Sequence, residues 1–224
     1  MADFSPAIDI VFANEGGFNK NLKDGEGMTY RGLTIKSDSD WSGWAYINNY
    51  IAQNGYPADE HIFPELEQSV KDYYQNNQNS YWQRSRGDAL INQDMANFVF
   101  SFFVSSGYAG KEVNIAINKA MGSKVVPENN TLSDAAVDYM NNNQDTIYPV
   151  LYQQREDYLH SLATWGRFGK SWERMMAMFP ANISVIRVMA SKTGYEGVMG
   201  GIGFILVGTF GYLAYRKGLF NFKK

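Results

Sequence analysis

A carboxylate stands where a helical pattern calls for an apolar residue. Glu15 follows Ile8, Val11 and Phe12 at spacings of three and four, and Gly16 and Gly17 come directly after it. Side chains at those spacings share one helix face, so Glu15 is expected on the apolar side. Ser5 suits an N-cap, Pro6 the first helical position and the glycines a helix stop, which predicts a short helix between Ser5 and Gly17. Partial burial disfavours an ionised carboxylate, and the negative end of the helix dipole disfavours it further. Both raise the pKa, giving the profile of a general acid that keeps its proton near neutral pH. Taken alone, a Glu at the edge of an amphipathic helix is more often simply solvated. The residues that follow change that balance.

Phe18 to Thr34 is polar and punctuated by glycine, and it ends in the β-like run Thr29-Tyr30-Arg31-Gly32-Leu33-Thr34. A helix, a carboxylate and then a hairpin form the local plan of a lysozyme-like cleft. Read without a gap, Glu15-Gly16-Gly17-Phe18, Asp24, Gly27, Thr29, Gly32, Leu33 and Thr34 resemble the signature of glycoside hydrolase family 108. The resemblance continues at Tyr81-Trp82, at Phe98-Val99-Phe100 and at Val104 to Gly107. Further on, Tyr152, Arg155, Tyr158, Leu159, Phe168, Trp172 and Arg174 resemble the end of the associated peptidoglycan-binding region, so the likeness runs from about residue 4 to 178. Three positions depart from it. The family usually has Pro-Gly-Gly where Gly25-Glu26-Gly27 stands, a Gly-Trp pair where Ser171-Trp172 stands, and often an acidic residue in the central helix where Ser101 stands.

The resemblance implies a mainly α, lysozyme-like helical domain with a small hairpin region. It also implies hydrolysis of the β-1,4 bond between N-acetylmuramic acid and N-acetylglucosamine in peptidoglycan, with Glu15 as the acid. Protonating a glycosidic oxygen needs a neutral carboxylic acid, and the oxocarbenium-like transition state needs a second carboxylate or an activated water. Asp24 and Glu26 are the nearest candidates; Asp24 matches the family and is preferred. Thr29 joins Glu15 and Asp24 as a catalytic candidate, positioning water or a sugar hydroxyl, and Thr34, Tyr30 and Trp82 are expected to bind substrate. Retention, inversion and lytic transglycosylation stay open. The alternative from another class is a non-catalytic membrane or virion protein that keeps the fold for wall binding.

A chain of 224 residues, 45% of them hydrophobic, suffices for one domain and an appendage. A net charge of -3 and a pI near 5.4 argue against nucleic acid as a partner. There is no Cys, and His61 and His160 lack ligand spacing, so no metal or cofactor is expected. Phe98, Phe100, Phe102 and Phe103 read as core, whereas Trp41, Trp44, Tyr46, Tyr50 and Trp82 lie in more polar sequence and are candidates for a cleft wall. Helical patterns run from Trp41 to Asn54, Pro64 to Asn76, Ala89 to Ser105, Lys111 to Met121, Ser133 to Asn142 and Tyr148 to Ala163.

From Gly197 to Tyr215 there are 19 residues without a charge. A helix of that length spans about 28 Å, close to a bilayer core. This predicts a transmembrane helix over 195–216, with the lipid bilayer as partner through 197–215 and a Gly-x-x-x-Gly pair, Gly197 and Gly201, suited to helix self-association. The expected organisation is then an enzymatic domain over 1–180, whose part from about 108 is peptidoglycan-binding-like, a linker or interfacial segment over 181–194, the span, and a basic tail over 217–224. Arg216, Lys217, Lys223 and Lys224 would face the cytoplasm, yet Met1 to Pro6 is no signal peptide. The two fit together for a phage protein anchored in a virion membrane or the host inner membrane and acting in entry or lysis.

Overall fold

The first helix, α1 (Phe4–Glu15), is capped by Asp3 rather than by Ser5: the Asp3 Oδ1 accepts from the Ser5 backbone N–H at 2.9 Å. Pro6 therefore falls within the first turn, where its missing N–H costs nothing. Gly16 ends the helix at φ 68. The computed structural model describes residues 1–20, 27–76, 80–181 and 183. Contacts divide the chain into one unit, Met1–Ala181, and a second, Asn182–Lys224, of which only residue 183 is described.

Within the first unit, three two-residue strands follow α1: β1 (Phe18–Asn19), β2 (Thr29–Tyr30) and β3 (Leu33–Thr34). They form an antiparallel sheet in the order β1-β2-β3, with Phe18 opposite Tyr30 and Tyr30 opposite Leu33. Arg31 and Gly32 make the β2–β3 turn, with φ of 51 and 84. Two successive positive φ values are the two-residue hairpin geometry that follows the right-handed twist of strands.

Helices supply the rest: α2 (Gly43–Asn54), α3 (Glu67–Asn76) after a 3-10 turn at Pro64–Leu66, α4 (Tyr81–Arg84), α5 (Gln93–Ser105), α6 (Ala109–Met121), α7 (Asp134–Asn142), α8 (Gln144–Ser161) and α9 (Trp165–Met176). The predicted helix from Ala89 is shortened, because Asn92 caps α5 by accepting from the Met95 N–H at 3.0 Å. Ser133 caps α7 in the same way through the Ala136 N–H. From Asp94 to Phe103 every residue of α5 is buried, and the helix packs against α1, α4, α6 and α8, so it is the centre of the domain.

Burial along α5 includes one carboxylate. Asp94 is pushed up to about 6 because its charged form loses water. Its pKa is higher in the folded chain than in the unfolded one, so the folded chain holds the extra proton between about pH 4 and 6, and stability falls as pH rises through that window. Asp94→Asn is expected to be more stable than wild type at pH 7, by on the order of 2 kcal/mol. The difference should close by pH 4 in urea unfolding; a difference independent of pH would show that Asp94 is not the source.

The expected transmembrane helix, and with it the single-pass anchor and the membrane localisation, is corrected. No helix among the described residues is long and apolar enough to cross a membrane. A span needs about 20 apolar residues. The apolar α5 has 13, and the 18-residue α8 carries Asp145, Arg155, Glu156 and Asp157. The uncharged run at 197–215, with Gly197 and Gly201, lies outside the described residues, as do the segment and tail on either side of it.

Candidate active site

Glu15 is the last residue of α1, and it is half-buried. Neighbours from two other segments close around it. Gly32, in the hairpin turn, presses on its side chain: a Cβ built at Gly32 would stand 2.9 Å from the Glu15 Cγ and 2.7 Å from the Tyr74 hydroxyl. At φ 84, and with that contact, only glycine fits. Tyr74, from α3, is fully buried and donates to the Arg31 carbonyl at 2.8 Å. Burial, and after it the charge of Glu15, hold Tyr74 well above its ordinary pKa, so it stays a neutral hydroxyl.

Glu15 itself is raised above the usual carboxylate range. Loss of water is the main cause, opposed by the Asn14 amide, which donates to Oε1 at 2.9 Å, and by the positive charge of Arg155. A carboxyl group whose pKa is raised toward working pH is suited to protonating a leaving oxygen.

Arg31 ties the site together. Its Nε and Nη2 meet both oxygens of Glu67, at 3.1 and 2.8 Å, while Nη1 donates to the carbonyls of Phe12 and Gly16 at 3.3 and 3.4 Å. The cation thus sits on the otherwise unpaired carbonyl end of α1, where the helix dipole favours it. On the neighbouring strand segment, the Gly17 N–H donates to the Glu60 Oε2 at 2.9 Å. None of Arg31, Glu60, Glu67 and Tyr74 was marked by residue type alone. The one signal that could have found Arg31 is the Gly32 that follows it between β-like residues, the mark of a hairpin turn inside a run that was read as β-like throughout.

The other expected site residues are placed as follows. Thr29 is half-buried on β2, opposite Asn19 and Thr34. Thr34 accepts from the Ser37 N–H at 3.0 Å, and its own N–H donates to the buried Asp38 at 2.9 Å. Asp38 also accepts from the Tyr81 hydroxyl at 2.9 Å; burial raises its pKa and these two hydrogen bonds pull it back. Tyr30 is fully buried, stacked on Trp41, with its hydroxyl donating to Glu67 at 2.7 Å. Trp82 is fully buried as well, its rings packed against Phe4 and Phe100 and its Nε1 donating to Asp88 at 2.7 Å. Neither Tyr30 nor Trp82 presents a face to a bound sugar, since both spend their surface on the core. Trp41 and Trp44 are buried too, while Tyr46 and Tyr56 are exposed. Asp24 and Glu26 lie outside the described residues. Among the described residues, no three His, Asp or Glu side chains gather as a metal site would require.

Residues 8–107 match the family model described as Glycosyl hydrolase 108, a stretch from the middle of α1 to the loop after α5. The chain is also similar to a solved structure of SagA from Brucella abortus, at 22% identity and a TM-score of 0.55, over 78% of this chain and 89% of that one. That likeness concerns the fold. No match is found among curated proteins. A raised, half-buried glutamate between a helix end and a hairpin, inside the stretch that carries the family match, is the reason to read that match as chemistry: residues 8–107 are similar to a glycosyl hydrolase 108 domain, which supports glycoside hydrolase activity on peptidoglycan.

Proposed function

We propose that the chain is an N-acetylmuramidase, cleaving the β-1,4 bond between N-acetylmuramic acid and N-acetylglucosamine with Glu15 as general acid. The observation that carries this reading is the setting of Glu15, raised by burial and closed in by Gly32 and Tyr74. The neutral carboxyl delivers its proton to the glycosidic oxygen, the bond to the muramyl C1 breaks, and water takes its place there. Asp24, on the family motif, is the partner we assign to that water or to the cationic transition state, with Thr29 orienting the attack. Thr34 is assigned to the cleft floor, its backbone pinned by Asp38. The setting we infer, opening of a wall in viral entry or lysis, is supported by the family resemblance.

The full chain incubated with purified peptidoglycan, followed by mass spectrometry of the released glycans, should give new reducing ends on N-acetylmuramic acid. Anhydro-muramyl ends would replace hydrolysis by transglycosylation, in which the muramyl 6-hydroxyl attacks in place of water. Reducing ends on N-acetylglucosamine would move the cut to the other glycosidic bond.

A further inference from the structure

The peptide between Gly16 and Gly17, the first beyond Glu15, is held at both of its polar atoms by charged side chains from different parts of the chain. Its carbonyl, on Gly16, accepts from the Arg31 Nη1 at 3.4 Å, and its N–H, on Gly17, donates to the Glu60 Oε2 at 2.9 Å. The cation meets the oxygen and the anion meets the hydrogen, so both charges align with the dipole of that peptide. Arg31 also donates to the Phe12 carbonyl, in the last turn of α1, and is itself anchored on both oxygens of Glu67. Glu60 is anchored through its backbone. Its N–H donates to the Phe18 carbonyl at 2.7 Å, and the Phe18 N–H donates to the His61 carbonyl at 2.8 Å.

The backbone is shaped around that grip. Glu60 takes a φ of 66, a left-handed conformation that any residue with a Cβ disfavours. Gly16, at φ 68, has to be glycine a second time over, because a Cβ there would overlap the Glu60 carboxyl. At Gly17 a Cβ would stand 2.5 Å from the Glu60 carbonyl oxygen and 2.6 Å from that of His61. The two glycines after the acid therefore make room for Glu60 as well as ending the helix. Gly17 is buried, so its N–H must find a partner within the protein. A neutral oxygen would meet that need. A carboxylate on a strained residue does more, since its charge-assisted bond is stronger and fixes the plane of the peptide.

We propose that Arg31 and Glu60 are positioning residues of the reaction: they clamp the Gly16–Gly17 peptide from opposite ends and so fix the end of α1 from which Glu15 reaches the scissile bond. The inference rests on the reading of Glu15 as the acid. Arg31 acts a second time through the chain, because its neighbour Gly32 presses on the Glu15 side chain, at 2.9 Å from a built Cβ to the Glu15 Cγ. The main chain that follows the acid and the side chain of the acid are thus held by the same hairpin turn. A reacting group misplaced by about 1 Å can lose about a hundredfold in rate with its chemistry intact, so the effect of the clamp falls on kcat rather than on KM.

The test uses the full chain and soluble, uncrosslinked peptidoglycan strands, with kcat and KM measured separately and hydrogen exchange at the Gly17 amide followed by NMR. Glu60→Ala removes the acceptor; it should lower kcat about tenfold, leave KM within about twofold of wild type and speed exchange at Gly17. Glu60→Gln keeps an oxygen that can accept the same N–H, and it should recover most of both losses. Arg31→Met frees the Gly16 carbonyl and should lower kcat in the same way. Combined with Glu60→Ala it should lose less than the product of the two single losses, because both act on one peptide. An unchanged kcat in Glu60→Ala, a loss that appears in KM, or a combined loss equal to the product would overturn the proposal. Should Arg31→Met fail to fold, the two Glu60 variants decide, since Glu60 is exposed and its truncation opens no cavity in the core. Near-normal activity in Glu15→Gln would overturn the acid reading, and the role of the clamp with it. Exchange at Gly17 needs no catalysis and separates the two failures: exchange unchanged in Glu60→Ala would overturn the clamp itself.

Discussion

Glu15→Gln is expected to lose at least about a hundredfold in peptidoglycan hydrolysis with its melting temperature almost unchanged. Gln preserves the volume pressed against Gly32 and keeps an oxygen that accepts from the Asn14 amide, so the contacts of the site survive. What it lacks is an acidic proton. Because burial is the main influence on Glu15, removing its charge takes nothing favourable from the folded state. Turbidity clearing of purified walls and a thermal melt on the same preparation check both halves. Activity within a few-fold of wild type would take Glu15 out of the mechanism.

Trp82→Ala should have the opposite signature, a large loss of stability with catalysis retained in whatever remains folded. The indole is fully buried between Phe4 and Phe100, with ring centroids at 5.4 and 5.5 Å, and its N–H is spent on Asp88. Gly87 lies flat against it; a Cβ there would come within 2.4 Å of the indole. Truncating a large buried aromatic costs about 3 to 5 kcal/mol. Small domains have only about 5 to 15 kcal/mol in total. Urea unfolding would read that loss, and kcat/KM measured well below the midpoint should stay near wild type. A raised KM with unchanged stability would return Trp82 to the cleft.

The contrast between these two residues shows what the chain reveals about itself. Glu15 was legible because its helix, its stop and the following hairpin are all written within a short stretch. The hairpin was legible only in part: Thr29 to Thr34 was read as β-like throughout, and its turn at Arg31 and Gly32, two adjacent positive φ values, falls in the middle of that run. Trp41 and Trp44 were not, because polar neighbours suggested exposure. Each indole instead finds a partner for its N–H, Ser69 at 3.0 Å and the Asp38 carbonyl at 2.8 Å, and can then be buried at little cost. The cap of α1 was missed by two residues because Asp3 and Ser5 are both good caps and only the observed hydrogen bond decides. α9 was read as aromatic positions without its helix. Arg155 lay furthest from view. A lone arginine in a polar helix looks solvated, and its burial depends on serines of α5 and on rings brought in from α5 and from Phe179.

The raised pKa of Glu15 belongs to the folded molecule, because burial is its main cause. As the chain leaves the ribosome, its first helix carries an ordinary glutamate, ionised at neutral pH and useless as an acid. The hairpin turn and Tyr74, which close around it, are synthesised later. The setting proposed for the catalytic acid is therefore complete only once α3 and the hairpin turn have packed around the end of α1.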